Sequence, residues 1–450
     1  MKYSDFFIYV LYLISPNIVL SNNYCNPYKG AVTYSKWLGG RNGSHSNSDT
    51  LISQLINLDN TYAKTHPNLT IVFQTQLTET KDDIIKCSLS TLKYCPTNFK
   101  CILHILGLYK EPALEYWQYE CHKTQYKVTK WYKCAAGIPN IQTGCNNYDI
   151  QIPNNNINIL LVDYYNTYFG PNSLLYEISM YKNLLLAPGC NYIDSNDSSN
   201  WMSKLVQCSK KRLYLFELTT IGAHDAATYI IYNNSRAISE IYINKLCKDN
   251  PIHCDLITNI GQSPVRSFAA TQSGYNFFDI LNNGARYLDL RIIPVLDSNK
   301  LTIPKNTVIK SKNQIDIYFS HNFVLLNLSF KEGLEQVVSF VDNHPREVVM
   351  LYLSHYDGGI YDSSFFENIL PYFNNKLVSI VQEVLGDRII LNCFNTSFGR
   401  LPSIQDIYNN RAQRGGVLLF YKSNHNLLEI KCPVNITCPI ELFWNAIGAS

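Results

Sequence analysis

The fold of this chain is decided by residues 314–353, which read QIDIYFSHNFVLLNLSFKEGLEQVVSFVDNHPREVVMLYL. Two apolar runs, Gln314–Ser320 and Glu347–Leu353, have the length and composition of buried strands. Between them, Leu334–Val341 carries apolar residues at helical spacing. His344-Pro345 ends this helix, because the residue before a proline is pushed out of the α region. A strand, a helix and a second strand in this order predict an α/β fold.

The same alternation extends on both sides of that stretch. The further predicted strands are Lys211–Thr219, Ala285–Ile293, Arg388–Leu391 and Gly416–Tyr421, and the further predicted helices are Ser363–Leu385 and Pro402–Tyr408. Apolar strands that alternate with helices are typical of a parallel sheet, closed as a barrel or open. The strands up to Tyr421 are fewer than a complete (β/α)8 barrel requires, so the last part of a barrel is compressed, supplied differently or missing.

Residues 22–207 have a different pattern, in which short apolar runs are separated by clusters of Asn, Pro and Gly. The clearest runs are Asn68–Leu77, Lys100–Leu108, Tyr126–Tyr132, Asn158–Tyr165 and Leu174–Leu186. Nine cysteines fall between Cys25 and Cys208. Short strands with turn signals between them are typical of a sandwich. We therefore expect a disulfide-rich, mainly β accessory domain over residues 22–207 and a barrel domain over residues 208–450.

The first 21 residues have the composition of a signal peptide. Lys2 precedes the apolar run Phe6–Ser15, and Val19-Leu20-Ser21 offers a small residue where a signal peptidase cuts. The alternative, a transmembrane anchor, fits less well because the run is shorter than the roughly 20 residues that span a bilayer. No other stretch is long and apolar enough to span one, so we expect a secreted, extracellular protein without a transmembrane segment.

Cysteine usage and glycosylation sequons agree with export. All 14 cysteines lie after Ser21, an even number that fits paired disulfides, with Cys247/Cys254 and Cys432/Cys438 close enough to form local bridges. No Cys-x-x-Cys pair occurs, so the cysteines do not indicate a zinc site. A glycoprotein is indicated by the Asn-x-Ser/Thr sequons at Asn42, Asn68, Asn196, Asn233, Asn327, Asn395 and Asn435.

The charge of the chain limits its partners. The formal net charge is +3 and 16% of the residues are charged, which leaves no broad basic field. Nucleic-acid binding needs such a field to neutralise phosphates, so it is not expected. The sequence indicates neither a cofactor nor a partner for the accessory domain.

Chemistry-bearing residues follow the predicted strands at their carboxyl ends, where barrel enzymes carry their sites. His224 and Asp225 follow the first strand, and His321 follows the strand at 314–320. Asp289 and Arg291 are two residues apart and share one face of their strand. Two histidines, an arginine and carboxylates that converge at one end of the sheet suit phosphoryl chemistry. One imidazole removes a proton from the attacking hydroxyl, the other protonates the leaving oxygen, and the guanidinium holds the phosphate.

His355 follows the strand at 347–353 and is a further candidate, as a substrate-binding residue. The alternative is a structural hydrogen bond to a loop carbonyl, which is the usual role of a single histidine at such a position.

Five motifs in a fixed order resemble the X domain of phosphatidylinositol-specific phospholipases C, and most of all its X-domain-only and bacterial branch. They are Thr220-Ile221-Gly222-Ala223-His224-Asp225, Thr271-Gln272, the run from Asn283 to Arg291, Tyr318-Phe319-Ser320-His321, and the run from Asp342 to Val349. The resemblance covers roughly residues 211–421. It implies a distorted TIM-type barrel.

The resemblance also implies a role for each site residue. His224 is the general base for the inositol 2-hydroxyl. His321 is the general acid for the diacylglycerol oxygen, with Asp225 as its carboxylate partner. Asp289 and Arg291 match a pair on the second strand. Calcium-dependent members have an acidic residue where Arg291 stands, so the arginine implies a reaction without metal. The family takes the carboxylate that orients its first histidine from the late part of the barrel, and no residue there is assigned to it.

Three functional hypotheses follow. The first is a secreted, calcium-independent phosphoric diester hydrolase or lyase that acts at a membrane surface on phosphatidylinositol-type lipids or glycosyl-phosphatidylinositol anchors. The second is a catalytically inactive X domain that binds lipid or glycan. The third, ranked last, is another barrel phosphodiesterase, which would need acidic metal ligands around the first histidine.

Overall fold

The structure, a computed structural model, describes residues 32–34, 70–74, 157–162, 174–191, 195–215, 217–230, 248, 272, 275–297, 303–304, 306–321, 324–354, 361, 363–390, 402–421, 428–431 and 437–440. Outside the described residues lie the predicted signal peptide, His355, the runs at 100–108 and 126–132, and at least one partner of each suggested cysteine pair.

The described strands form a nine-stranded mixed sheet and a separate two-stranded pair. The nine are β1 (Val32–Tyr34), β2 (Thr70–Gln74), β3 (Ile157–Val162), β4 (Thr220–Ala223), β5 (Tyr287–Leu296), β6 (Ile315–His321), β7 (Val324–Ser329), β8 (Val348–Ser354) and β9 (Gly416–Tyr421), and the pair is β10 (Leu428–Lys431) with β11 (Thr437–Ile440). Parallel pairing runs through β1-β2-β3-β4-β5-β8-β9, while β6 and β7 extend antiparallel from the second half of β5. The predicted α/β sheet is confirmed. Among the described strands β1 and β9 end this order, so closure into a barrel stays a prediction.

The described helices are α1 (Leu174–Leu186), α2 (Trp201–Cys208), α3 (Phe277–Asn282), α4 (Phe330–Asn343), α5 (Ser363–Leu385) and α6 (Ile404–Asn410). Helix α4 begins with a capping box, in which Ser329 Oγ accepts the N–H of Glu332 and the Glu332 carboxylate accepts the N–H of Ser329. It ends one residue before His344-Pro345, as the sequence predicts. Its buried residues Leu334, Val337 and Phe340 lie on one face and join the core.

The strand prediction for Leu174–Leu186 is wrong, because this segment is helix α1. Its residues LLYEISMYKNLLL are apolar on several faces, so neither a helical nor a strand period dominates. Its 13 residues exceed the usual length of a strand, and this length was the available signal for a helix.

Two other predicted strands reduce to isolated bridges. In the described part of Lys211–Thr219, Tyr214 bridges only Ser403, and the strand itself begins at Thr220. In the described part of Arg388–Leu391, Ile389 bridges only Val417. The first difference matters for the site, because it makes the strand that precedes His224 four residues long.

Residues assigned by the sequence to the accessory domain contribute to the main sheet. Strand β3 pairs in parallel with β4, from Ile159 opposite Thr220 to Val162 opposite Ala223. From helix α1, Asn183 accepts the N–H of Thr219 and donates to its carbonyl, both at 2.8 Å. Strand β3 and helix α1 therefore pack with β4. The boundary between residues 207 and 208 stays a prediction, as does a β-sandwich over the residues that are not described.

A buried ion pair joins the beginnings of β5 and β8. Arg286 donates to Glu347 Oε2 from Nε at 2.9 Å and from Nη2 at 2.7 Å, and both side chains are fully buried. Glu347 also accepts the backbone N–H groups of Met202 and Ser203, at the first turn of α2. This network fixes β5 and β8 relative to α2 at the end of the sheet opposite the histidines.

One disulfide is found within the described residues, between Cys190 and Cys208, whose Cα atoms are 5.0 Å apart. It links the segment after α1 to the last residue of α2. None of the helices that the structure describes has both the length and the hydrophobicity to cross a bilayer.

Candidate active site

Three neighbouring strands bring the five predicted catalytic residues together. Strands β4 and β5 run in parallel, with Ala223 opposite Leu288, so His224 follows β4 beside the part of β5 that carries Asp289 and Arg291. Strand β6 returns antiparallel along β5 and ends at His321. All five predicted catalytic residues are buried, with relative exposures from 2% to 8%.

The carboxylate of Asp225 lies at the centre of this cluster. Its Oδ2 atom is 3.0 Å from Nε2 of His321 and 3.3 Å from Nε2 of His224. Its Oδ1 atom is 2.5 Å from Nε of Arg291. One carboxylate therefore contacts both imidazoles and the guanidinium, so that movement of Asp225 would alter all three contacts.

Arg291 and Asp289 complete the surroundings of His224. Nη2 of Arg291 lies 3.2 Å from Nε2 of His224, and Oδ2 of Asp289 lies 3.9 Å from the same nitrogen. Within the described residues, the carboxylates that contact His224 are thus Asp225 and Asp289, both from the neighbourhood of β4 and β5.

Burial raises the pKa of Asp289 to about 6, and the negative charge of Asp225 adds to this shift. The positive charge of Arg291, the His224 imidazole and a hydrogen bond from the backbone of Asp225 act in the opposite direction. Desolvation disfavours the charged carboxylate, and two carboxylates in one cluster resist ionising together. The Asp289 carboxyl therefore changes its charge close to neutral pH.

His224, Asp225 and Asp289 also form a possible donor set for a metal ion, because one ligand atom from each lies within 4.8 Å of the others. An imidazole and two carboxylates suit a divalent cation by residue type. The guanidinium of Arg291 already contacts His224 and Asp225. A metal ion in this cluster would compete with Arg291 for the same groups.

Sequence reasoning missed three residues that line the cluster. Tyr352 lies opposite Asp289 on β8, and burial, followed by the charge of Asp289, raises the pKa of its hydroxyl. Strand alternation along β8 was a usable signal for this tyrosine. Gln272 and Thr228 hydrogen-bond the backbone around His224 and Asp225. Gln272 belongs to a family motif, but the sequence gives no sign of its contact.

Comparison with known proteins gives distant relatives over about half of the chain. No protein-family model matches it. The chain is 27% identical over 242 residues to "PI-PLC X domain-containing protein 3" of Danio rerio, covering 52% of this chain and 60% of that protein. It is 26% identical over 232 residues to the Homo sapiens protein of the same name, covering 50% and 58%. It is 28% identical over 186 residues to "PI-PLC X domain-containing protein 1" of Danio rerio, covering 41% and 53%. The matches thus span little more than half of the relatives' own length.

Among solved structures, a phosphatidylinositol-specific phospholipase C from Listeria monocytogenes has a TM-score of 0.29 and 18% identity, covering 56% of this chain and 65% of that one. A double mutant of the phosphatidylinositol-specific phospholipase C from S. aureus has a TM-score of 0.27 and 16% identity, covering 50% and 53%.

Proposed function

We propose that this chain, which over half its length is a homologue of the curated PI-PLC X domain-containing proteins, is a phosphodiesterase that cleaves phosphatidylinositol-type lipids or glycosyl-phosphatidylinositol anchors. One observation carries the proposal. The carboxylate of Asp225 lies 3.0 Å from His321, 3.3 Å from His224 and 2.5 Å from Arg291, so a base, an acid and a phosphate-binding cation are held around one group.

The proposed reaction uses the two histidines in turn. Nε2 of His224 accepts the proton of the inositol 2-hydroxyl while its oxygen forms a bond to phosphorus. The bond from phosphorus to the diacylglycerol oxygen breaks, and that oxygen takes the proton of His321. The products are a cyclic inositol phosphate and diacylglycerol. His224 then holds a proton and His321 has lost one, so hydrolysis of the cyclic phosphate with the roles reversed restores both.

Arg291 and Asp225 support both proton transfers. The guanidinium of Arg291 is a fixed positive charge beside His224, suited to hold the phosphate oxygens as their charge grows. The Asp225 carboxylate beside His321 stabilises the imidazolium that acts as the acid. We propose that the reaction needs no metal ion, because Arg291 supplies positive charge next to the same groups that would bind one.

A phosphatidylinositol-type substrate implies that the protein acts at a membrane surface. The composition of the first 21 residues supports export. A test begins with chain collected from the medium of expressing cells, which also tests export. It is incubated with phosphatidylinositol vesicles in excess chelator, and cyclic inositol phosphate is measured. Wild type is expected to form product, and His224→Ala and His321→Ala are each expected to lose about 10²–10⁴-fold in rate.

His344→Ala is the matched control, because His344 lies outside the cluster and contacts Asn200. It is expected to retain activity. Product formed only after calcium is added back would contradict the metal-free reaction. The absence of product from folded wild type with and without calcium would favour the second hypothesis, an inactive X domain that binds lipid or glycan. Vesicle binding without cleavage would then support it.

A further inference from the structure

The turn that carries His224 and Asp225 has an unusual backbone. Asp225 has a φ of +44°, in the left-handed region that residues with a Cβ atom rarely adopt. Among the described residues, the other non-glycine residues with positive φ are Ala412 and Gln413, which are exposed in the turn after α6. Asp225 is instead 3% exposed. A buried left-handed aspartate at a reactive cluster persists only where its surroundings hold it in place.

Thr228 and Gln272 provide that restraint through four hydrogen bonds. Thr228 donates to the carbonyl of Asp225 from its backbone N–H at 2.9 Å and from Oγ1 at 2.8 Å. Gln272 donates from Nε2 to the carbonyl of His224 at 3.0 Å, and from its backbone N–H to Oγ1 of Thr228 at 2.8 Å. Gln272 and Thr228 are each 1% exposed.

We propose that Gln272 and Thr228 are positioning residues for the acid–base pair. The inference rests on the proposed function and deepens it. Their bonds reach the carbonyls of His224 and Asp225, so they fix the two peptide groups between which the chain turns. With these carbonyls held, the Asp225 carboxylate is directed toward His321 and Arg291 while His224 remains beside the same carboxylate. Gln272 reaches this turn from 48 residues away in the chain, which makes it a tertiary restraint on the turn.

Loss of the restraint has a predictable consequence. Released from its hydrogen bonds, Asp225 relaxes toward ordinary backbone angles, and its carboxylate moves away from His321. A displacement of about 1 Å in a catalytic group can cost about 10²-fold in rate. The effect falls on proton transfer, so kcat decreases while KM changes little.

Thr228→Val and Thr228→Ser form a matched pair, because valine has the shape of threonine without the hydroxyl and serine keeps the hydroxyl. Three quantities are measured for each: kcat and KM on phosphatidylinositol vesicles, the imidazole NMR resonances of His224 and His321, and Tm. We expect Thr228→Val to lower kcat about 10- to 100-fold and to shift both sets of resonances, and Thr228→Ser to resemble wild type in both. A merely structural role would lower Tm and leave the resonances in place.

Unchanged histidine resonances in folded Thr228→Val would overturn the proposal, as would equal shifts in Thr228→Ser and Thr228→Val. If Thr228→Val does not fold, Gln272→Met decides by the same resonances, because it keeps the side-chain length and removes the donor to the His224 carbonyl. The resonances report on positioning even if the wild type cleaves no lipid. Failure of the proposed function is thereby distinguished from failure of this inference.

Discussion

Two buried arginines near β5, Arg286 and Arg291, lie five positions apart in the sequence and have different kinds of partner. Arg286 bonds Glu347 through Nε and Nη2, and its Nη1 and Nη2 also donate to carbonyls of neighbouring segments. Glu347 is equally occupied, because it also accepts two N–H groups of α2. These contacts link the start of β5 to the start of β8, to α2 and to the carbonyl of Leu281 in α3, so the pair acts as a structural connection.

Arg291 is surrounded by groups that can gain or lose protons. Its Nε contacts Asp225 and its Nη2 contacts His224, and Asp225 contacts His321 as well. Asp289, two residues away on the same face, has its pKa raised to about 6 by burial and by the charge of Asp225. The comparison teaches that burial and ion pairing alone do not mark a functional arginine. A functional arginine is distinguished by partners that can take part in proton transfer.

The largest effect that would test the comparison is on stability at Arg286. We expect Arg286→Met to lower the free energy of unfolding by about 3–5 kcal/mol, because it leaves the Glu347 carboxylate buried without its cation. Denaturant unfolding followed by circular dichroism measures this. Arg388→Met is the matched control, since Arg388 pairs with Asp342 through two bonds but both side chains are partly exposed, and such pairs contribute about 0–1 kcal/mol. Equal losses in the two variants would refute the structural role given to Arg286.

The next effect is on catalysis at Arg291. Arg291→Lys keeps the positive charge and removes the planar fork that can hold two phosphate oxygens. We expect kcat on phosphatidylinositol to fall by about 10²–10³-fold. The unfolding free energy should fall by less than in Arg286→Met, because lysine keeps a cation beside the buried Asp225 carboxylate. Arg388→Lys serves as the control and is expected to keep wild-type kcat. A large stability loss with intact kcat in Arg291→Lys would reverse the roles assigned to the two arginines.

Local patterns in the sequence predict several elements of the fold. The helix before His344-Pro345, helix α5 and strand β9 lie where spacing and turn residues put them, since local preference and packing agree there. The strand prediction for Leu174–Leu186 is wrong because an apolar run that is packed on several sides has no dominant hydrophobic period. The position of β3 beside β4 joins residues about sixty apart in the chain, and no local pattern records such a pairing.

In the candidate site, too, the sequence predicts some features, and others depend on contacts between distant segments. Strand ends and alternation indicated His224, Asp225, Asp289, Arg291 and His321, and the structure brings these side chains within contact distance. The left-handed turn at Asp225 and its contact with Gln272 were not predictable, because they depend on a tertiary hydrogen bond between distant segments. The Arg286–Glu347 pair was missed for the same reason, although both residues lie in motifs of the family.

The smallest expected effect concerns pH and Asp289. Its pKa is raised from an ordinary value of 3.8 to about 6, so the folded state binds a proton more tightly than the unfolded chain. Stability attributable to this group is therefore full below about pH 4 and is lost as the pH rises through about 6. The loss is at most about 3 kcal/mol, and smaller where Asp225 and Arg291 adjust with it. Between pH 4 and pH 7 the contribution of Asp289 to the unfolding free energy falls in wild type and is absent in Asp289→Asn. The slope of unfolding free energy against pH should therefore be more positive in Asp289→Asn than in wild type.

Exposed Glu367→Gln, on α5, is the control for that measurement and is expected to follow the wild-type slope. If Asp289→Asn kept the full wild-type slope, the group that titrates near pH 6 would be another member of the cluster. Asp289 would then not be the group that makes the surroundings of Arg291 differ from those of Arg286 in their response to pH. If the slope is more positive as expected, the end of β5 that carries Arg291 is sensitive to pH through Asp289.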